Sequence, residues 1–125
     1  MKPRHILIVD DEDDIREVAE LSLESVAGWR VATAGSGPEG VSKALEEPPD
    51  AILLDVMMPD MDGPSTLAEL QRHEATSDIP VLLVTAKVQA ADQRRFEALG
   101  VAGVLRKPFD PMTLSDQVSG ALGWG

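Results

Sequence analysis

Residues 6–11 read Ile6-Leu7-Ile8-Val9-Asp10-Asp11, four large apolar side chains in a row that stop at two acids. A strand with one wet face alternates apolar and polar residues, so an unbroken run reads as a strand covered on both faces. Two later runs end in the same way: Ala51-Ile52-Leu53-Leu54 stops at Asp55, and Val81-Leu82-Leu83-Val84 stops at Thr85-Ala86. The segments between them carry helical signals. Ile15, Val18, Ala19 and Val26 recur at helical spacing before Gly28, and a second strand follows over 30–34. Ser36-Gly37-Pro38-Glu39 has capping-box spacing with proline in the first turn, ahead of Val41, Ala44 and Leu45, and Pro48-Pro49 ends that helix. Pro64 opens a third helix bearing Leu67 and Leu70; a fourth is predicted over 91–99, stopped by Gly100. A short fifth strand near 103–105 and a fifth helix marked by Leu114, Val118, Ala121 and Leu122 complete the alternation. Strict alternation with unbroken apolar strands predicts an α/β domain: an open, doubly wound parallel sheet with helices on both faces, joined by right-handed crossovers.

The whole-chain numbers bound the answer. A length of 125 residues fits one compact domain, and 43% hydrophobic with 26% charged residues is ordinary globular usage. Lys plus Arg total 11 against 22 for Asp plus Glu, and the resulting net charge of -11 repels a phosphate backbone, which excludes direct nucleic-acid binding as the expected role. The absence of cysteine excludes disulfides, thiolate nucleophiles and Cys-based metal sites. No apolar run approaches the roughly 20 residues of a membrane span. A cytoplasmic protein without membrane contact is the expectation.

In open parallel sheets, sites form beyond the carboxyl ends of the strands. The residues found there are Asp10 and Asp11, then Asp55, then Thr85 and Ala86, then Arg106, Lys107 and Pro108. Acids also favour the first turn of a helix, a role that suffices for Asp13 and Asp14 but not for Asp10 at a strand end. Asp55 taken alone could be a turn residue before Pro59 and Asp62-Gly63, and Lys107 alone a solvated loop cation. Brought together, three carboxylates repel one another unless a cation offsets them, and magnesium suits hard oxygen ligands. With a lysine and a hydroxyl beside such a cluster, the chemistry it fits is phosphoryl transfer to a carboxylate. Asp55, alone on its strand, is the predicted nucleophile, with Asp10 and Asp11 placed to share the cation. His5 and His73 have no partner at metal spacing. Met57, Met58 and Met61 read as loop packing, and Trp29, Phe96, Phe109 and Trp124 as core or surface filling.

These residues resemble the receiver domain of two-component response regulators. The resemblance is carried by Ile8-Val9-Asp10-Asp11, by Leu53 through Gly63 around Asp55, by Val84-Thr85-Ala86, and by Lys107-Pro108-Phe109, and it covers essentially the whole chain. It implies a flavodoxin-like sheet of order 2-1-3-4-5. It implies that Asp55 accepts a phosphoryl group from a phosphohistidine on a sensor histidine kinase or histidine phosphotransfer protein. It further implies that Asp11, Asp55 and the Met57 carbonyl ligate Mg2+, with Asp10 holding a metal-bound water. Thr85 would move onto the phosphate, and Lys107 would pair with it or, beforehand, with Asp55; a cis Lys107-Pro108 bond is expected. Phosphorylation would change the surface around the fourth helix, fifth strand and fifth helix for a downstream protein target, and leaves room for a homodimer. The family usually has Tyr or Phe three residues before the lysine, where this chain has Val104. Lys87 and Met57 fall where relatives tune hydrolysis of the acyl phosphate. The resemblance makes the chain a signalling domain, not an enzyme, either free-standing or part of a longer regulator.

Three other readings compete. Asp11 and Asp13 have the Asp-x-Asp spacing of a magnesium-dependent phosphohydrolase with an aspartyl nucleophile, although the chain is short for a substrate cap. A flavin or nucleotide carrier would want glycines where the first turn is acidic. A receiver that only docks, independent of phosphorylation, would not need the complete acid, threonine and lysine set.

Overall fold

The structure, a computed structural model, describes residues 3–58, 62–86 and 90–124; Pro59, Met61 and Lys87 lie outside the described residues. Five strands, β1 (His5–Val9), β2 (Arg30–Ala34), β3 (Ala51–Asp55), β4 (Val81–Thr85) and β5 (Gly103–Arg106), pair in parallel in the order β2-β1-β3-β4-β5. Five helices alternate with them: α1 (Asp13–Ala27), α2 (Gly37–Glu46), α3 (Gly63–Arg72), α4 (Ala90–Glu97) and α5 (Leu114–Leu122). This is the predicted flavodoxin-like arrangement. The register aligns the strand ends: Val9 pairs with both Ala34 and Leu54, Asp55 with Val84, and Thr85 with Arg106.

The unbroken apolar runs have a direct cause in the two-faced core. Because successive side chains point to opposite faces, Leu7, Val9, Ile52, Leu54 and Leu83 pack with Val41, Ala44, Leu67, Leu70 and Phe96 from α2, α3 and α4. Ile6, Ile8, Leu53, Leu82 and Val84 pack on the other side with Ala19, Leu23, Leu114 and Val118 from α1 and α5. β1, β3 and β4 are buried along their whole length, whereas the edge strands β2 and β5 are only partly covered, as edges of a sheet should be.

The helix ends follow the predicted signals, with some differences. Gly28, with φ of 70°, closes α1 in the left-handed conformation that glycine adopts without strain. Ser36 caps α2 by accepting from the Glu39 amide, but Glu39 completes no reciprocal box: its carboxylate takes the Gly35 amide instead, at 2.7 Å. Asp62, expected in a turn, caps α3 by accepting from Ser65 N at 2.8 Å. The fourth helix is Ala90–Glu97, and residues 98–100 finish in a tighter turn that ends at Gly100, φ 80°. Val18 and Val26, read as core positions of α1, are exposed, because Ser22 and Ala19 turn inward with Leu23. Met58 is buried as loop packing requires, whereas the Met57 side chain is 61% exposed. At the opposite edge of the sheet, Trp29 and Trp124 meet edge to face at 5.5 Å, with Arg4 stacked 4.1 Å from the Trp124 ring. The Lys107-Pro108 peptide is cis, as expected.

Gly40 sets how closely α2 lies on the sheet. A Cβ there would stand 2.7 Å from Cγ2 of Val9, nearer than carbon atoms pack. Gly40→Ala is therefore expected to lower the unfolding free energy by about 1–3 kcal/mol. A double-mutant cycle with Val9→Ala, measured by urea unfolding, should show that the two losses do not add; strictly additive losses would place the helix and strand further apart.

Candidate functional site

The carboxyl ends of β1, β3, β4 and β5 bring the predicted residues to one place. Asp10 and Asp55 are nearly closed off from solvent at 2% and 4% exposure, Thr85 is equally buried, and Asp11 faces outward. Carboxylate oxygens of Asp10, Asp11 and Asp55 lie within 4.8 Å of one another. Lys107 reaches into this group: its Nζ is 2.8 Å from Asp10 Oδ2, 3.2 Å from Asp55 Oδ1 and 3.5 Å from Glu12 Oε1. The lysine–Asp55 pair was expected; the shorter contact to Asp10 and the involvement of Glu12 were not.

Local structure explains why the side chains converge. β3 runs through the middle of the sheet, so Asp55 ends on the strand with paired neighbours on both sides. Gly63 meets the end of this strand, its amide donating to Val56 O at 2.9 Å. A Cβ on Gly63 would come 2.8 Å from both the Asp55 carbonyl oxygen and Val56 Cα, so only glycine lets α3 start this close behind Asp55. The Met57 amide donates to Asp55 Oδ1 at 3.3 Å, which fixes the carboxylate from the chain that follows it. Lys107 is positioned by its own backbone, whose amide donates to Thr85 O at 2.9 Å and extends the β4–β5 pairing past Arg106.

Asp10 has every polar group engaged. Its amide donates to Ala34 O at 3.0 Å, Oδ1 accepts from Glu12 N at 2.9 Å, Oδ2 meets Lys107, and its carbonyl accepts from Arg16 Nη1 at 2.6 Å. Arg16 also pairs with Asp13. Asp13 is thus turned to Arg16 and is not one of the clustered acids, which removes the second carboxylate of the Asp-x-Asp reading. Sequence reasoning passed over Arg16; its signal was the spacing three residues after Asp13, which puts both on one side of α1. His5 begins β1 and is buried, with Nδ1 unpartnered among the described residues, and lies at the end of that strand opposite to this site.

The donor set suits a hard divalent ion. Among the described residues it consists of oxygen atoms alone, from three carboxylates partly offset by one ammonium, with one of the acids open to water. Magnesium keeps part of its hydration and takes one or a few carboxylates, which this geometry allows.

Comparison with known proteins places the chain in context. The response regulator receiver domain family matches residues 6–119. The DNA-binding dual master transcriptional regulator RpaA of Synechocystis sp. is 41% identical over 105 residues, covering 84% of this chain and 43% of that protein. The chain spans about half the length of the curated relatives it matches, with 44%, 43% and 48% of the first three covered. Among solved structures, the chemotaxis response regulator CheY4 of Vibrio cholerae superposes with a TM-score of 0.89 at 31% identity, over 96% of this chain and 99% of that one. The receiver domain of the sensor histidine kinase PA1611 from Pseudomonas aeruginosa, solved with a magnesium ion coordinated in its active site cleft, has a TM-score of 0.85 at 30% identity, covering 97% and 98%.

Electrostatics at the site are governed by burial. Desolvation, reinforced by the charge of Asp10, pushes the Asp55 carboxyl up from 3.8 to about 6, against the opposing pull of Lys107 and the Met57 amide. Burial by itself would lower Lys107, but its hydrogen bond and charge pairing with Asp10, and then with Asp55, outweigh that and hold it above its ordinary value. A carboxyl raised in the folded state favours folding while protonated and opposes it once ionised. In metal-free buffer this cost develops as pH rises from 3.8 through about 6. Asp55→Asn, which cannot ionise, is accordingly expected to be more stable than wild type near neutral pH by about 1–3 kcal/mol. The gap should close toward zero in acid; urea unfolding at both pH values checks it, and equal stabilities near neutrality would contradict the assignment.

Proposed function

Because the chain belongs to the response regulator receiver domain family, we propose that it is a phosphoacceptor switch in which Asp55 takes a phosphoryl group from a phosphohistidine on a sensor histidine kinase or histidine phosphotransfer protein. The whole chain, 1–125, acts in this reading as one receiver domain. The observation that carries it is the ammonium of Lys107 lying between Asp10 and Asp55, at 2.8 and 3.2 Å, beside an acid cluster of oxygen donors. Such a set is arranged to neutralise a transferring phosphoryl group.

In this reading an oxygen of Asp55 attacks phosphorus, the phosphorus–nitrogen bond to the donor imidazole breaks, and the imidazole departs with the electron pair of that bond. Among the described residues the contacts from Met57 N and Lys107 both fall on Oδ1, which leaves Oδ2 as the attacking oxygen. A carboxyl held at about 6 is ionised near neutral pH yet poorly solvated, the state in which a carboxylate attacks best. Asp11 and Asp55, with the Met57 carbonyl, would hold Mg2+ directly and Asp10 through a water; the bound ion supplies charge neutralisation at the phosphoryl oxygens. Lys107 would then exchange its contact with Asp55 for a phosphoryl oxygen, and the Thr85 hydroxyl would turn to the same group.

The consequence would reach the surface around α4, β5 and α5, where a downstream protein is recognised. Val104 sits there half-buried against the core on the Phe96 side. Valine has no hydroxyl and little reach, so the aromatic movement that usually accompanies this step has no counterpart at that position. The acidic surface suits protein partners, and any DNA binding belongs to other parts of longer regulators such as the relatives named above. A cytoplasmic setting agrees with the cysteine-free sequence; among the described residues no helix is long and apolar enough to cross a membrane.

Incubation with magnesium and a small acyl phosphate, followed by intact mass measurement, tests this reading. Wild type should gain one phosphoryl group, Asp55→Asn none, and Asp11→Asn far less than wild type at the same time. An unmodified wild type, or modification that persists in Asp55→Asn, would overturn the assignment of the acceptor.

A further inference from the structure

The turn that carries Asp10 and Asp11 is closed within itself by Asp10 Oδ1, which accepts from Glu12 N at 2.9 Å, but the helix it leads into has no side-chain cap. Glu12 stands at the N-cap of α1 but its side chain makes no capping hydrogen bond and turns toward Lys107. Arg16, one helical turn further on, spans the turn a second time: Nη1 donates to the Asp10 carbonyl at 2.6 Å, while Nη2 pairs with Asp13. The Arg16 side chain is half-buried and its guanidinium rests over Gly35, where an added Cβ would stand 3.2 Å from Nη1. Gly35 in turn donates its amide to Glu39, whose carboxyl is held below its ordinary value by that bond, with Lys43 and Arg16 contributing. Arg16 therefore ties the first strand-to-helix turn to itself and lays it against the second. Its planar fork makes both contacts without needing to be rearranged.

Resting on the magnesium-dependent reading above, we infer that Arg16 is a positioning residue for the ion: by holding the Asp10 carbonyl it fixes the orientation of the Asp10 and Asp11 carboxylates toward Asp55. The alternative role, pure charge, has the opposite sign. A cation near a metal cluster repels the metal, so removing it would tighten binding if charge alone mattered. Holding the turn predicts weaker binding when the guanidinium is lost, because groups that orient metal-ligating carboxylates typically contribute about 10–100-fold in affinity.

Isothermal titration of the full chain with magnesium chloride separates these cases, with metal-free melting as the control for folding. Arg16→Met keeps the apolar stem and is expected to weaken magnesium binding about 10-fold while leaving the metal-free melting temperature within a few degrees of wild type. Arg16→Lys keeps the charge and one donor but not the fork, and should fall between the two. Arg16→Met that binds magnesium as tightly as wild type, or more tightly, overturns the inference. If Arg16→Met fails to fold, Arg16→Lys decides: an affinity equal to wild type overturns the inference and a weaker one supports it. A wild type that does not bind magnesium at all overturns the reading of the site on which the inference rests, and is distinguished from the other failures by appearing before any substitution is made.

Discussion

Three carboxylates at one edge of a parallel sheet are an unstable arrangement until something positive stands between them, and in this fold that is the Lys107 ammonium. It lies nearer to Asp10 than to Asp55 and is also within reach of Glu12. Burial of Asp10 and Asp55 removes most of the water that would otherwise screen their repulsion, so the lysine carries that task at low dielectric. Among the described residues one ammonium stands against three acids, which leaves the cluster short of positive charge. The remaining deficit is what makes the site receptive to a divalent ion in the proposed reading, and the charge of Asp10 adds to the burial that raises the Asp55 carboxyl.

The acids are not equally constrained, and the difference bears on how such a site can respond to a ligand. Asp10 is fixed through its amide, both carboxylate oxygens and its carbonyl, and Gly63 presses the start of α3 against the backbone of Asp55. Asp11 is exposed and Lys107 is a flexible four-carbon side chain. A rigid pair of acids with one open acid and one movable cation is an arrangement in which ligand charge can redistribute contacts without disturbing the sheet. The proposed exchange of Lys107 from Asp55 to a phosphoryl oxygen is a movement of this kind.

Much of this was legible in the sequence because its signals are local. Ile6 through Val9, Ala51 through Leu54 and Val81 through Val84 announce two-faced strands by their unbroken hydrophobicity, and Gly28, Ser36 and Gly100 mark helix ends through backbone preferences that act within a few residues. The topological rule that sites form beyond strand carboxyl ends then selected Asp10, Asp11, Asp55, Thr85 and Lys107 before any coordinates. The strand order was not in that class: five apolar strands look alike to local reasoning, and only the resemblance to receivers supplied 2-1-3-4-5.

What the tertiary structure alone decided are the contacts between side chains far apart in the chain. Lys107 and Glu12 are 95 residues apart, and nothing in their neighbourhoods signals that they meet. The preference of Lys107 for Asp10, the inward turn of Ser22 that leaves Val18 and Val26 exposed, and the Arg16 fork over Gly35 all depend on how helices settle on the sheet. Periodicity and capping describe interactions a few residues long, so the sequence by itself determined which elements form and which residues reach the edge of the sheet. Distances of two to four ångströms between those residues arise from packing of the whole core, and the fold alone determined them.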